Sequence, residues 1–134
     1  MSTIRNIKFI LPAGFRSVFI VAEDRDAPSA RRENEVTVYE IPEDGLLRTN
    51  TVQPLREWHS ATAMFSDGRP LTVATGGPIE PYDKVEIQLR SLYSDANGRT
   101  YFLVGTESEQ ADALKNRSTL RLGEIQKGGR PQSD

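Results

Sequence analysis

Short apolar runs with a period of two, cut by turn residues roughly every ten to twenty positions, constrain this chain more than any other feature. Alternation of this kind suits strands with one buried face. Ile7, Phe9 and Leu11 alternate with polar or mixed neighbours until Pro12-Ala13-Gly14 breaks the run. Val18-Phe19-Ile20-Val21-Ala22 is continuously apolar, as expected of a strand covered on both faces. Val36, Val38, Tyr39 and Ile41 predict another strand. The turn chemistry of Pro42-Glu43-Asp44-Gly45 then leads into Leu46–Val52, so residues 36–52 read as a hairpin. Ser60–Phe65 and Leu71–Thr75 flank Ser66-Asp67-Gly68, a second hairpin signal. The cleanest alternation, Val85-Glu86-Ile87-Gln88-Leu89-Arg90, predicts a strand with one wet side. Asp95-Ala96-Asn97-Gly98 then turns the chain back into Tyr101-Phe102-Leu103-Val104.

One short helix follows. Thr106 is placed to cap it, Glu109 completes a capping box, and Glu107 with Glu109 early and Lys115 with Arg117 late match the helix dipole. Its apolar stripe is only Ala111 and Leu114, which predicts light docking. Leu120 and Leu122 fit a last strand. The fold class expected is therefore all-β or mainly β. The architecture is an antiparallel β-sandwich, or a barrel-like sandwich, with one short C-terminal helix.

With 134 residues the chain suits a single domain, able to hold a core without staples. Residues 1–125 are assigned to it, with a mobile charged loop at 24–34. Residues 126–134, Gln-Lys-Gly-Gly-Arg-Pro-Gln-Ser-Asp, are read as a disordered tail. The absence of cysteine removes disulfides, thiolate metal sites and a cysteine nucleophile. Charge is balanced, at 17 Lys+Arg against 19 Asp+Glu, so no basic field indicates a nucleic-acid partner. No apolar stretch is long enough to span a bilayer. The opening residues lack a signal-peptide core, so the expected location is cytoplasmic, or envelope or secreted if a leader was removed.

Few residues carry candidate chemistry. The lone histidine, His59, lies beside Arg56, Glu57, Trp58 and Ser60. It reads as a general base oriented by Glu57 or, more simply, as a strand residue near a core tryptophan. No Gly-x-Ser-x-Gly elbow presents a serine. Trp58 is the sole tryptophan, with Tyr82 and Tyr93 as candidates to join it in an aromatic platform or, by preference, in the core. Asp95-Ala96-Asn97-Gly98 resembles the start of a calcium loop but lacks its later ligands, so a hairpin turn explains it better. Asp24-Arg25-Asp26 reads as a solvated loop, Gly76-Gly77-Pro78 as a bend, and Lys127-Gly128-Gly129-Arg130 as tail. No catalytic, cofactor or metal residue is therefore assigned, and no cofactor is expected.

Four landmarks recur in order: Leu11-Pro12-Ala13-Gly14-Phe15, Tyr39-Glu40-Ile41-Pro42-Glu43-Asp44-Gly45-Leu46-Leu47-Arg48-Thr49, Ser66-Asp67-Gly68, and Phe102-Leu103-Val104-Gly105-Thr106-Glu107. Over residues 7–110 the chain resembles an uncharacterised bacterial β-rich domain family, many of whose members look like lipoproteins. That resemblance implies a β-rich domain with no assigned activity or functional residue. This sequence has no anchoring cysteine. The leading expectation is a non-enzymatic binding or interaction module that presents loops or an edge to another macromolecule, such as a protein partner. The alternatives are a small hydrolase or transferase using His59 and nearby carboxylates, and a cytoplasmic inhibitor or immunity-type protein.

Overall fold

In the computed structural model, residues 5–56, 59–75 and 77–116 are described. The apolar alternation does what its period demands. Ile7, Phe9 and Leu11 of β1 (Arg5–Leu11) and Phe19 and Val21 of β2 (Val18–Glu23) turn inward and meet in one core. Four rings knit its centre: Phe9 lies 5.6 Å from Phe19 edge-on, 5.0 Å from Phe102 and 5.7 Å from Tyr39, and Phe19 stacks on Phe102 at 5.0 Å.

Two sheets enclose these rings. The first has the order β3 (Arg31–Glu33), β4 (Val36–Glu40), β1, β6 (His59–Phe65) and β7 (Pro70–Leu71). The second runs β5 (Leu46–Thr49), β2, β9 (Arg99–Gly105) and β8 (Gln88–Ser94). A single helix, α1 (Glu107–Lys115), closes the described chain, and the capping box expected at Thr106 and Glu109 is formed. The mainly β sandwich with a short helix is thus as the sequence predicts, but its pairing is mixed. β1 runs parallel to both β4 and β6, and β2 parallel to β5.

The parallel pairs correct a second expectation. Residues 36–52 are not a hairpin: β4 and β5 lie in different sheets. Strand–turn–strand units of this kind are arches, whose two strands face each other through side chains and hydrogen-bond elsewhere. The first arch is β1 to β2 through Pro12–Gly14, and the second is β4 to β5 through Pro42–Gly45. They stack, β4 on β1 and β5 on β2. Both turns use the same chemistry. The Pro12 carbonyl accepts from the Phe15 amide at 3.0 Å and the Pro42 carbonyl from the Gly45 amide at 2.9 Å. Gly45 has φ of +80°, and a Cβ there would also press on the Val18 carbonyl oxygen at 3.2 Å, so the position demands glycine.

Two other expectations change. Inside the charged segment at 24–34, Arg31–Glu33 forms an edge strand antiparallel to β4, all three residues exposed. Arg31 pairs with Glu33 at 2.9 Å and with Glu40 at 3.3 Å. Backbone bonding and charge hold this strand without any apolar signal. The alternating run at 85–90 is not one strand either. β8 begins at Gln88, and residues 85–87 belong to a loop. The hairpin signals around Ser66–Gly68 and Asp95–Gly98 do give antiparallel pairs, β6 with β7 and β8 with β9, but β7 ends at Leu71 and not at Thr75, because Val73 bridges Leu89 of the other sheet. The proposed strand at Leu120 and Leu122, and the tail at 126–134, lie outside the described residues.

Candidate functional site

The first turn of α1 is where the sequence hides its charge. Glu107, the first helical residue, points inward and is 2% exposed. Its Oε2 accepts from the Ile79 amide at 3.1 Å and its Oε1 from the Lys84 amide at 3.4 Å. Its own amide donates to the Lys84 carbonyl at 3.4 Å. Arg90 on β8, 3% exposed, lies on the same side of the molecule. Its Nε donates to the Gly105 carbonyl at 2.8 Å and its Nη2 to the Glu86 carbonyl at 3.1 Å. Three backbone positions of the segment 77–87 are therefore held from behind by two buried charged side chains.

The cap makes that geometry possible. Glu109 reaches back to the Thr106 amide at 2.8 Å while Thr106 Oγ1 accepts from the Glu109 amide at 3.2 Å. Arg16 adds an ion pair to Glu109 at 2.8 Å. The Glu109 carboxyl is held below its ordinary value by the Thr106 amide, then by Arg16. A Cβ at Gly105 would meet the returning Glu109 carboxylate, the flexible end of which would have to shift. The helix then docks through a polar face: Glu107, Gln110 and Ala111 are buried, and Gln110 Nε2 donates to the Ser91 carbonyl at 2.9 Å. Leu114, expected in an apolar stripe, is only half-buried.

The held loop exposes apolar side chains among charged ones. Ile79 is 70% exposed and Val85 76%, with Tyr82 and Ile87 exposed beside them; these are the large hydrophobic residues exposed among the described ones. Glu80, Asp83, Lys84 and Glu86 are exposed between them. Desolvation, and then the carboxylates of Glu80, Glu107 and Asp112, hold the Tyr82 phenol above its ordinary value.

A second feature lies between the sheets. β8 alternates as a strand must: Gln88 and Arg90 line a polar pocket shared with Lys84, Glu86 and Glu107, while Leu89 and Ser91 line a cleft of about 310 Å³. The segment 73–75 forms a wall of both. It is pinned to β8 by the Ala74 amide on the Leu89 carbonyl and the Leu89 amide on the Thr72 carbonyl, each at 2.9 Å.

The residues singled out from sequence are dispersed. Glu57 and Trp58, the side chains of Arg56 and His59, and Gly76 lie outside the described residues; His59 opens β6 opposite Arg5 of β1. Tyr82 belongs to the exposed loop, whereas Tyr93 stacks on Tyr101 at 4.6 Å, so these two tyrosines serve different places. Asp95 is a turn residue: its carboxylate accepts from the amides of Asn97 and Arg99, from Arg99 Nε and from the Tyr101 hydroxyl. Burial works against its ionisation, but those donors outweigh it and hold the carboxyl below its ordinary value. Asp24 Oδ1 accepts from the Asp26 amide at 2.9 Å, a local turn in an exposed loop. No group of three or more metal-ligating side chains occurs among the described residues. No helix among them is long and apolar enough to cross a membrane.

Sequence reasoning missed Glu107, Arg90 and the loop they hold. The available signal was a carboxylate directly after a helix cap with its apolar stripe nearly absent.

No family model matches the chain, and no curated protein matches it. Among solved structures it is similar to a "Putative Lipoprotein from Bacillus anthracis", with a TM-score of 0.44 and 11% identity. The match covers 98% of this chain and 83% of that one.

Proposed function

We propose that this domain is a non-enzymatic interaction module that presents the 77–87 loop to a protein partner. The observation that carries the reading is the pairing of opposites in one segment. Its apolar side chains Ile79, Tyr82, Val85 and Ile87 are solvated, while its backbone is bonded to buried Glu107 and Arg90. A held apolar loop loses little freedom on binding, so its burial is not offset by a large ordering cost. Exposed Glu80, Asp83 and Glu86, against Lys84 alone, leave the loop net acidic and favour a partner surface that is apolar at its centre and basic at its rim.

A photo-reactive residue at position 85 of the full chain, activated in cells, tests this. One adduct of discrete mass is expected, lost in the background of Ile79→Ser and weakened by Glu80→Gln with Asp83→Asn. The reading fails if no adduct forms, or if the adduct survives Ile79→Ser unchanged.

A further inference from the structure

The polar pocket behind the 77–87 loop holds four charged side chains that do not pair. Arg90 and Lys84 supply two positive charges, Glu107 and Glu86 two negative ones, and all four line one pocket of about 210 Å³. Among the described residues no two of them form an ion pair. For exposed Lys84 and Glu86 that is ordinary. For Arg90 and Glu107, 3% and 2% exposed, it is not, because a buried charge is normally matched by a counter-charge. Each is bonded to backbone, which fixes it without neutralising it. We propose that this pocket binds a small zwitterion of amino-acid size, its carboxylate towards Arg90 and Lys84 and its ammonium towards Glu86 and Glu107.

The burial of Arg90 does not close it to a ligand. Its Nε and Nη2 donate to carbonyls, whereas Nη1 has no partner. Gln110 Oε1 is the one enclosed side-chain polar atom without a partner among the described residues, so Nη1 keeps access to solvent, and the pocket is the opening that Arg90 lines. Nη1 thus has two N–H groups to offer a carboxylate. Each Glu107 oxygen accepts one amide and retains a second lone pair for an ammonium group. Equal numbers of each sign select against a simple ion, since an anion meets two carboxylates and a cation meets Lys84 and Arg90. A molecule carrying both charges finds a counter-charge at each end. Size sets the same limit: at the packing density of protein interiors, 210 Å³ takes roughly eight non-hydrogen atoms. Thr75 and Gln88, which both donate and accept, complete the polar lining. The wall at 72–74 is fixed by its two backbone bonds to Leu89, so little ordering is left for the ligand to impose.

The test uses the full chain labelled with nitrogen-15, titrated at constant ionic strength with glycine, L-serine and γ-aminobutyrate. Acetate and methylammonium serve as probes that carry one charge each. Saturable shifts are expected at the amides of Thr75, Gly77, Lys84 and Arg90 with at least one zwitterion, at millimolar concentration or below. Each singly charged probe should bind at least about tenfold more weakly. Lys84→Gln and Glu86→Gln each remove one exposed charge from the lining and should weaken the zwitterion by about tenfold, while an unchanged thermal midpoint shows that each variant is folded. Three results would overturn the proposal: no saturable shift with any zwitterion, acetate or methylammonium binding as tightly as the best zwitterion, or shifts that folded Lys84→Gln and Glu86→Gln leave unchanged. Ile79→Ser alters a side chain that is 70% exposed and should leave the titration as it is, so this result and that of the loop experiment are read independently.

Discussion

The stacked arches and the 77–87 loop are ordered by opposite means. In the arches the apolar side chains go inward, and order comes from burial, ring packing and glycine at Gly45. In the loop the apolar side chains go outward, and order comes from two buried charged residues bonded to backbone. The lesson is that an apolar residue in this sequence has no fixed meaning. Phe9 marks the core, whereas Val85, in an equally regular alternation, marks the surface.

The comparison breaks most forcibly at Phe9. Replacing it by alanine removes a ring that touches Phe19, Tyr39 and Phe102, and should cost about 3–5 kcal/mol in a denaturant titration. A loss below about 1 kcal/mol would show that the arches do not depend on that cluster.

A second probe of the arches is alkaline pH. Burial pushes the Tyr39 phenol up to about 12, and burial with the Asp95 carboxylate does the same for Tyr101. Because the folded values are raised, their contribution is fully present below the ordinary phenol value of 10.0 and is lost as pH rises towards 12. For fully buried Tyr39 this amounts to on the order of 2–3 kcal/mol, at about 1.4 kcal/mol per unit. The denaturant midpoint should be flat approaching pH 10 and fall beyond it, with tyrosinate absorbance rising as the fold is lost. Early ionisation of these phenols in folded protein would contradict the packing described.

The loop is tested at its tether. Glu107→Ala leaves the Ile79 and Lys84 amides without their acceptor and should cost about 1–3 kcal/mol. Glu107→Gln, which keeps one oxygen, should cost less. Hydrogen exchange at the two amides should accelerate in both variants while exchange in β1 and β2 changes little. Uniform acceleration across the sheets would mean that loop and arches are one cooperative unit.

The smallest effect sharpens the contrast. Ile79→Ser with Val85→Ser should shift stability by no more than about 0.5 kcal/mol, since both side chains are already in solvent. A large loss there would mean that the loop's apolar groups support the fold.

What the sequence made legible is local. The Thr106–Glu109 cap, the hairpin turns at Ser66–Gly68 and Asp95–Gly98, and the inward alternation of β1 all depend on neighbours within a few residues. What escaped depends on distant partners. Pro42–Gly45 carries hairpin chemistry, yet Ile41 donates to Ile10 and Ile20 to Gly45, so the strands flanking that turn are paired by β1 and β2. Val85 and Ile87 alternate like a strand, yet Glu107 and Arg90 hold them in a loop. The candidate site was the least legible part, because it depends on charged side chains going where charge is rarely buried. For β3, exposed arginine and glutamate residues gave no apolar period to read.

The stacking of the arches also bears on how the chain is made. β1 is sandwiched between β4 and β6, so its ladder cannot be completed until the ribosome has released residue 65. β2 waits longer, since its antiparallel neighbour β9 ends at Gly105. Until those residues are made, β1 and β2 are each present with at least one flank open, the condition under which nascent chains associate with each other or engage chaperones. Closure of the two sheets waits on β6 and on β9, an order set by the sequence in which the strands are written.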